Sequence, residues 1–209
     1  MGDLEGKTVS RTKTWIWIVL FFGAMAWSGF HPKDRFTWVL EVFPAWIAFL
    51  VLAFTRKRFP LSALAYWLIL VHAFILFVGG KYTYAEVPWF NWIKDVLHQG
   101  RNNYDKMGHF AQGFIPAIII REILIRKQVV NGSSWLFFLT SSVCLAISAL
   151  YELIEWAVAV SSGEGADAFL GTQGYVWDTQ TDMLMALIGS IIAQVLLGRI
   201  HSAMLKRMS

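Results

Sequence analysis

The sequence predicts an all-α, polytopic membrane protein. The expected architecture is a bundle of six transmembrane helices with a short interfacial helix in the third loop, one integral membrane domain over residues 1–209. Three observations carry this reading. Hydrophobic residues make up 56% of the chain, with 11 Trp and 16 Phe, and charged residues only 15%, against about 25% in an average soluble domain. Six stretches approach the roughly 20 apolar residues that cross a bilayer. Basic residues also separate between alternate loops, as membrane topology demands.

The first stretch, about Thr14–Phe30, follows Lys7, Arg11 and Lys13. That order also suits a signal peptide, with Ala24-Met25-Ala26 resembling a cleavage site. The run exceeds the roughly 7–15 residues of a signal core, so a retained span is expected. The second stretch is about Thr37–Phe54 and the third about Leu61–Gly79, joined by the tight basic loop Arg56-Lys57-Arg58. The fourth, about Met107–Ile125, meets the fifth, about Ser134–Val160, through Arg126-Lys127. The fifth is long enough to tilt. The sixth is about Asp182–Ile200.

The third loop, about Gly80–Lys106, is longer than the roughly 2–8 residues usual between bundle helices. In it Trp89, Phe90, Trp92 and Ile93 alternate with Asn91, Lys94 and Asp95. That pattern fits a short helix lying in the interface, and equally an aromatic belt of the adjoining spans. The single cysteine, Cys144, lies in an apolar run without a basic neighbour and reads as a buried thiol. One cysteine excludes a disulfide within the chain, so helix packing must hold the fold.

Orientation follows from counting basic residues on alternate sides. The tail, second loop, fourth loop and C-terminus hold Lys7, Arg11, Lys13, Arg56, Lys57, Arg58, Arg121, Arg126, Lys127, Arg199, Lys206 and Arg207, twelve in all. The other side holds Lys33, Arg35, Lys81, Lys94, Arg101 and Lys106, six in all. Both termini are therefore expected in the cytoplasm. The net charge of +4 reads as topology, and no nucleic-acid partner is expected. Acidic residues gather on the opposite, outer side: Asp34, Glu86, Asp95, Asp105, Glu164, Asp167, Asp178 and Asp182.

An ionisable group costs roughly 2.5–3.5 kcal/mol at a helix centre on insertion scales, so such groups are usually interior, paired and functional. Three stretches carry them. Asp105 and His109 are four residues apart and share a helix face. The carboxylate can orient the ring or share a metal with it, or Asp105 can be a helix cap beside a polar His. Glu152 and Glu155 are three apart within an apolar run. They need a proton or a cation between them, or they hydrogen-bond helices together. Asp178 and Asp182 share a face if the last helix begins early, and Gly189-Ser190 would allow close helix approach. His72 is either a further contributor or a satisfied core residue. Glu41 opens its span, where an exposed carboxylate costs little.

These groups define the candidates. His109, Asp105, Glu152 and Glu155 are the candidate catalytic residues. Tyr104, Trp156, Gln173, Trp177 and Gln180 are candidates for substrate binding, and Asp178, Asp182, Glu152 and Glu155 for a metal. Hard oxygen donors with few imidazoles suit Mg²⁺, Mn²⁺ or Ca²⁺ better than zinc. The sequence has no H-E-x-x-H, phosphate-cradling glycine loop or serine-nucleophile motif.

Three motifs, Tyr104-Asp105-Lys106-x-Gly108-His109-Phe110, Tyr151-Glu152-x-x-Glu155-Trp156 and Leu170-Gly171-Thr172-Gln173-Gly174 running to Trp177-Asp178-Thr179-Gln180-x-Asp182-Met183, resemble the YjdF-type bacterial inner-membrane proteins. That resemblance implies a multi-pass inner-membrane protein and no particular reaction. More distantly, Asp105, Lys106, His109, Glu155 and Asp182 are similar to the sparse motif of VanZ-like membrane proteins, although no Asn follows Asp182.

Three function classes fit. One is an enzyme acting on a lipid or lipid-linked envelope substrate, with membrane lipids as partners, at the outer-leaflet end of the last three spans. Another is a small cation- or proton-binding transporter, which the absence of an internal repeat disfavours. The third is a structural or assembly protein whose polar cluster locks helices together.

Overall fold

The computed structural model describes residues 11–162 and 172–208, and every regular element there is helical. The elements are α1 (Arg11–Gly29), α2 (Arg35–Thr55), α3 (Ala63–Tyr82), a 3-10 turn (Tyr84–Glu86), α4 (Pro88–Val96), α5 (Tyr104–Arg126), α6 (Ser133–Ser162) and α7 (Asp178–Met208). Lys7, Glu164, Asp167 and the Leu170-Gly171 start of the third motif lie outside the described residues.

Among the described residues, five helices, α2, α3, α5, α6 and α7, are long and apolar enough to cross a membrane. The expected first span, Thr14–Phe30, is a helix, α1, but is not among these five. Arg11 and Lys13 fall in the first turn of α1. Its apolar stretch then begins at Trp15 and is about 22 Å long at 1.5 Å per residue, short of the roughly 30 Å hydrocarbon core. It still packs along α3, and Trp17 and Phe21 stack against each other and against Phe49 of α2.

Local sequence sets the helix starts. The Asp34 carboxylate accepts from the Thr37 N–H at 2.6 Å and the Ser62 hydroxyl from the Ala65 N–H at 3.3 Å, so each caps the helix that follows. Helix α4 opens on Pro88, whose missing N–H costs nothing in a first turn. It turns Trp89 and Trp92 outward, 74% and 67% exposed. Helix α7 begins four residues before the expected Asp182, and Asp178 occupies its first turn, where the helix dipole favours an anion.

One apolar core lies among α1, α2 and α3, and a second among α5, α6 and α7, with α3 against α5 joining them. The most extensive helix pair is α5 with α7. Gly113 of α5 lies against the Ala186 carbonyl, and Gly189 of α7 against the Phe110 carbonyl. Small residues thus let the two backbones touch, as membrane helices commonly do. Cys144 is fully buried there, its thiol 3.5 Å from the Gly113 carbonyl.

At the basic end of these helices Glu122, fully buried, accepts from the Ser62 N–H at 2.9 Å and from Arg126 at 2.8 Å, and lies 3.1 Å from His201 Nε2. Arg121 reaches His201 Nδ1 at 3.1 Å. A guanidinium only donates, so His201 accepts at Nδ1 and donates from Nε2 to Glu122. This network ties the start of α3 to α5 and α7.

Candidate functional site

The opposite end carries the acidic residues. Asp105 and His109 occupy the first two turns of α5, Asp178 and Asp182 those of α7, and Glu152 and Glu155 lie in the C-terminal half of α6. All six are buried. They meet because α5 and α7 start at the same end of the bundle, and α6 runs back toward it.

Two cations knit the cluster. Lys106 Nζ lies 2.5 Å from Asp178 Oδ1 and 2.8 Å from Asp182 Oδ1. Arg101 lies 2.5 Å from Asp178 Oδ1 and 3.6 Å from Asp105 Oδ2. Both stand over the Tyr175 ring, at 5.6 Å for Arg101 and 5.5 Å for Lys106.

His109 Nε2 lies 3.5 Å from Asp105 Oδ1 and 3.6 Å from Glu152 Oε1, while Nδ1 is 3.1 Å from Gln112 Oε1. Asp105, His109 and Asp182 each offer one ligand atom, and these atoms lie within 4.8 Å of one another. Two carboxylates and one imidazole fit a hard divalent ion. This set shares only Asp182 with the metal candidates named from sequence. Asp178 is taken up by Lys106 and Arg101.

Glu41, expected at an exposed span start, is buried. It lies in the electrostatic field of Asp105, beside Tyr84 and Tyr151. Glu155 shares the field of Glu152, Asp105, Glu41 and Asp182, and His72 that of His109. Six buried carboxylates, with Glu41 counted, thus face two fixed cations, Arg101 and Lys106. Such an excess of negative charge requires protons or a further cation. Among the described residues, Glu152 Oε1 and the Tyr151 hydroxyl are buried without a hydrogen-bond partner. Tyr84, in the 3-10 turn, wedges its ring against Gly79 and Gly108. Its hydroxyl stays protonated because burial, and then the Glu41 carboxylate, push it well above the ordinary tyrosine value.

The substrate-binding candidates are spread differently. The Tyr104 hydroxyl is committed to the Ile75 carbonyl at 2.9 Å, and its ring packs edge-on against Tyr84 and Phe90. Gln173 has a left-handed backbone (φ 48°) and clamps the Asn102 backbone, accepting from its N–H at 3.0 Å and donating to its carbonyl at 2.8 Å. Trp156 and Trp177 turn outward, 64% and 61% exposed, and Gln180 is exposed. None of these three stands against the buried acids; all three side chains are exposed.

Sequence reasoning missed the roles of Arg101, Tyr84 and Tyr151, and underweighted Lys106 and Glu41. Lys106 entered only through the charge count and the two motif resemblances. The available signal was a basic residue beside Asp105 at the depth where two further aspartates fall.

A family described as "Predicted membrane protein (DUF2238)" matches residues 13–203. The chain is 49% identical over 183 residues to the Inner membrane protein YjdF of Escherichia coli (strain K12), covering 88% of this chain and 88% of that protein. No solved structure matches. The YjdF-type resemblance read from the three motifs is thereby shown.

Proposed function

The chain belongs to the DUF2238 family of membrane proteins, and from that premise we propose that it is a multi-pass bacterial inner-membrane protein whose acidic end binds a hard divalent cation and acts on a lipid or lipid-linked cell-envelope substrate. The name of the Escherichia coli relative supports the inner membrane. The twelve-to-six division of basic residues supports cytoplasmic termini and an outward-facing acidic end. In this reading α1 completes a sixth crossing, with Arg11 and Lys13 reaching the headgroups.

The observation that carries the proposal is the convergence of Asp105, His109 and Asp182 within 4.8 Å. These residues would hold the ion, and Mg²⁺, Mn²⁺ or Ca²⁺ there would polarise a phosphoryl or carbonyl oxygen. Asp105 orients the His109 ring. Glu152, with a buried oxygen lacking a hydrogen-bond partner, serves as the general base, with Glu155 beside it. Helix ends at headgroup depth suit an amphiphilic substrate.

The test is Mn²⁺ titration of the purified full chain in nanodiscs, read by electron paramagnetic resonance. One ion should bind the native chain. His109→Ala and Asp182→Asn should abolish binding while the protein stays monodisperse, and Glu152→Gln should leave binding largely intact while abolishing a cellular phenotype. Absence of Mn²⁺, Mg²⁺ and Ca²⁺ binding would sink the metal reading.

One observation favours a second reading, a structural lock. Lys106 and Arg101 already pair with Asp178, Asp182 and Asp105. On that reading His109→Ala and Asp182→Asn yield misassembled protein and no metal is found.

A further inference from the structure

A separate recess lies at the other end of the molecule. It is a cleft of about 380 Å³ between α1, α2 and the start of α3, within the roughly 300–1,000 Å³ typical of ligand pockets. Trp17, Phe49, Leu52 and Trp67 are among its apolar walls, and Lys13, Arg56 and Lys57 also line it. The three cations sit at helix ends, Lys13 in the first turn of α1 and Arg56 and Lys57 directly after α2. From Arg56 the wall reaches back seven residues along α2 to Phe49, about 10 Å at helical rise. The recess is therefore basic at the helix termini and apolar inward.

Arg56 and Lys57 are exposed, and no carboxylate among the described residues pairs with either. Lys127 and Arg126 stand over Phe59 nearby, at 5.3 and 4.0 Å from its ring, so the surrounding field is positive. An apolar slot with cations at headgroup level is complementary to a lipid that carries negative charge next to its acyl chains.

We propose that this cleft binds an anionic phospholipid, its phosphate held by Arg56 and Lys57 with Lys13, and an acyl chain seated against Trp17, Phe49 and Leu52. The site is independent of the acidic end and does not rest on the reading given to it.

The full chain is reconstituted in nanodiscs of equal phosphatidylglycerol and phosphatidylcholine, released into detergent, and its retained lipid identified by native mass spectrometry. The native chain should retain phosphatidylglycerol over phosphatidylcholine by about ten-fold, given the attraction of each basic residue for anionic headgroups. Arg56→Gln with Lys57→Gln, both at exposed positions, should abolish the preference. Ala53→Trp, which fills the cleft from its exposed wall, should lower retention of both lipids. Equal retention by the native chain, or a preference unchanged in both variants, overturns the proposal. A chain lacking residues 1–10 should retain the same lipid. If retention arises only after that truncation, the cleft belongs to the chain's own N-terminal segment, with Asp3 and Glu5 as the counter-charges, and the lipid proposal fails.

Discussion

Gly113 on α5 lies so close to the carbonyl of Ala186 on α7 that a side-chain carbon at position 113 would overlap it. This contact sets the separation of the two helices, and with it the distance from Asp105 and His109 to Asp182. Packing of the smallest residues thus governs the geometry of the acidic end.

Gly113→Val should therefore separate α5 from α7. Overpacking ordinarily costs about 1–3 kcal/mol, and backbone cannot yield as a side chain can, so the upper end is expected. Thermal melting in detergent should show it. Val at Gly23, whose side-chain position faces open space, is the matched control and should melt as the native chain does.

Lys106→Met should destabilise strongly. It leaves Asp182 facing Asp105 without its ammonium, and removing one partner of a buried ion pair costs about 3–5 kcal/mol. Adding Asp182→Asn removes the stranded charge and should recover part of the loss. A double-mutant cycle of melting temperatures checks this; strict additivity would show that the pair is not coupled.

At the basic end, Glu122→Ala should cost more than His201→Ala. The carboxylate serves Ser62, Arg126 and His201 together, whereas losing His201 leaves Glu122 two partners. Removing Glu122 strands several donors at about 1–3 kcal/mol for each left buried. Comparing the two variants by chemical denaturation decides the order.

The α2 cap gives a pH-dependent prediction. The Thr37 N–H bonds hold the Asp34 carboxyl below its ordinary value. Its stabilisation is therefore complete above the unfolded-state value of about 3.9 and is lost as pH falls through the lower folded value. Asp34→Ala should cost about 1 kcal/mol at neutral pH. The gap between variant and native chain should close in acid, below that folded value. A gap that persists there would show that the cap does not act through its charge.

Most elements were legible because a membrane span declares itself by composition. Five of the six expected spans are helices long and apolar enough to cross. The sixth, α1, is a helix whose basic first turn shortens its apolar length. The aromatic stretch after α3 gave α4, and the periodicity of Asp105 with His109 and of Glu152 with Glu155 placed each pair on one face. Glu41 was not legible. Its place at a span start suited exposure, and only the packing of α2 and α3 with the turn at Tyr84 buries it. The same holds for Trp156 and Trp177, whose motif neighbours face inward while they face out.

The sequence by itself determined that this is an all-helical membrane chain with most of its acids gathered at one end and most of its bases at the other, because hydropathy, charge and helical period are local properties. The tertiary structure alone decided which acids meet, that Lys106 and Arg101 sit among them, and that Asp105, His109 and Asp182 converge. Those facts depend on helix separation and rotation, which glycine-to-backbone contacts between residues far apart in sequence set, and no local pattern encodes them.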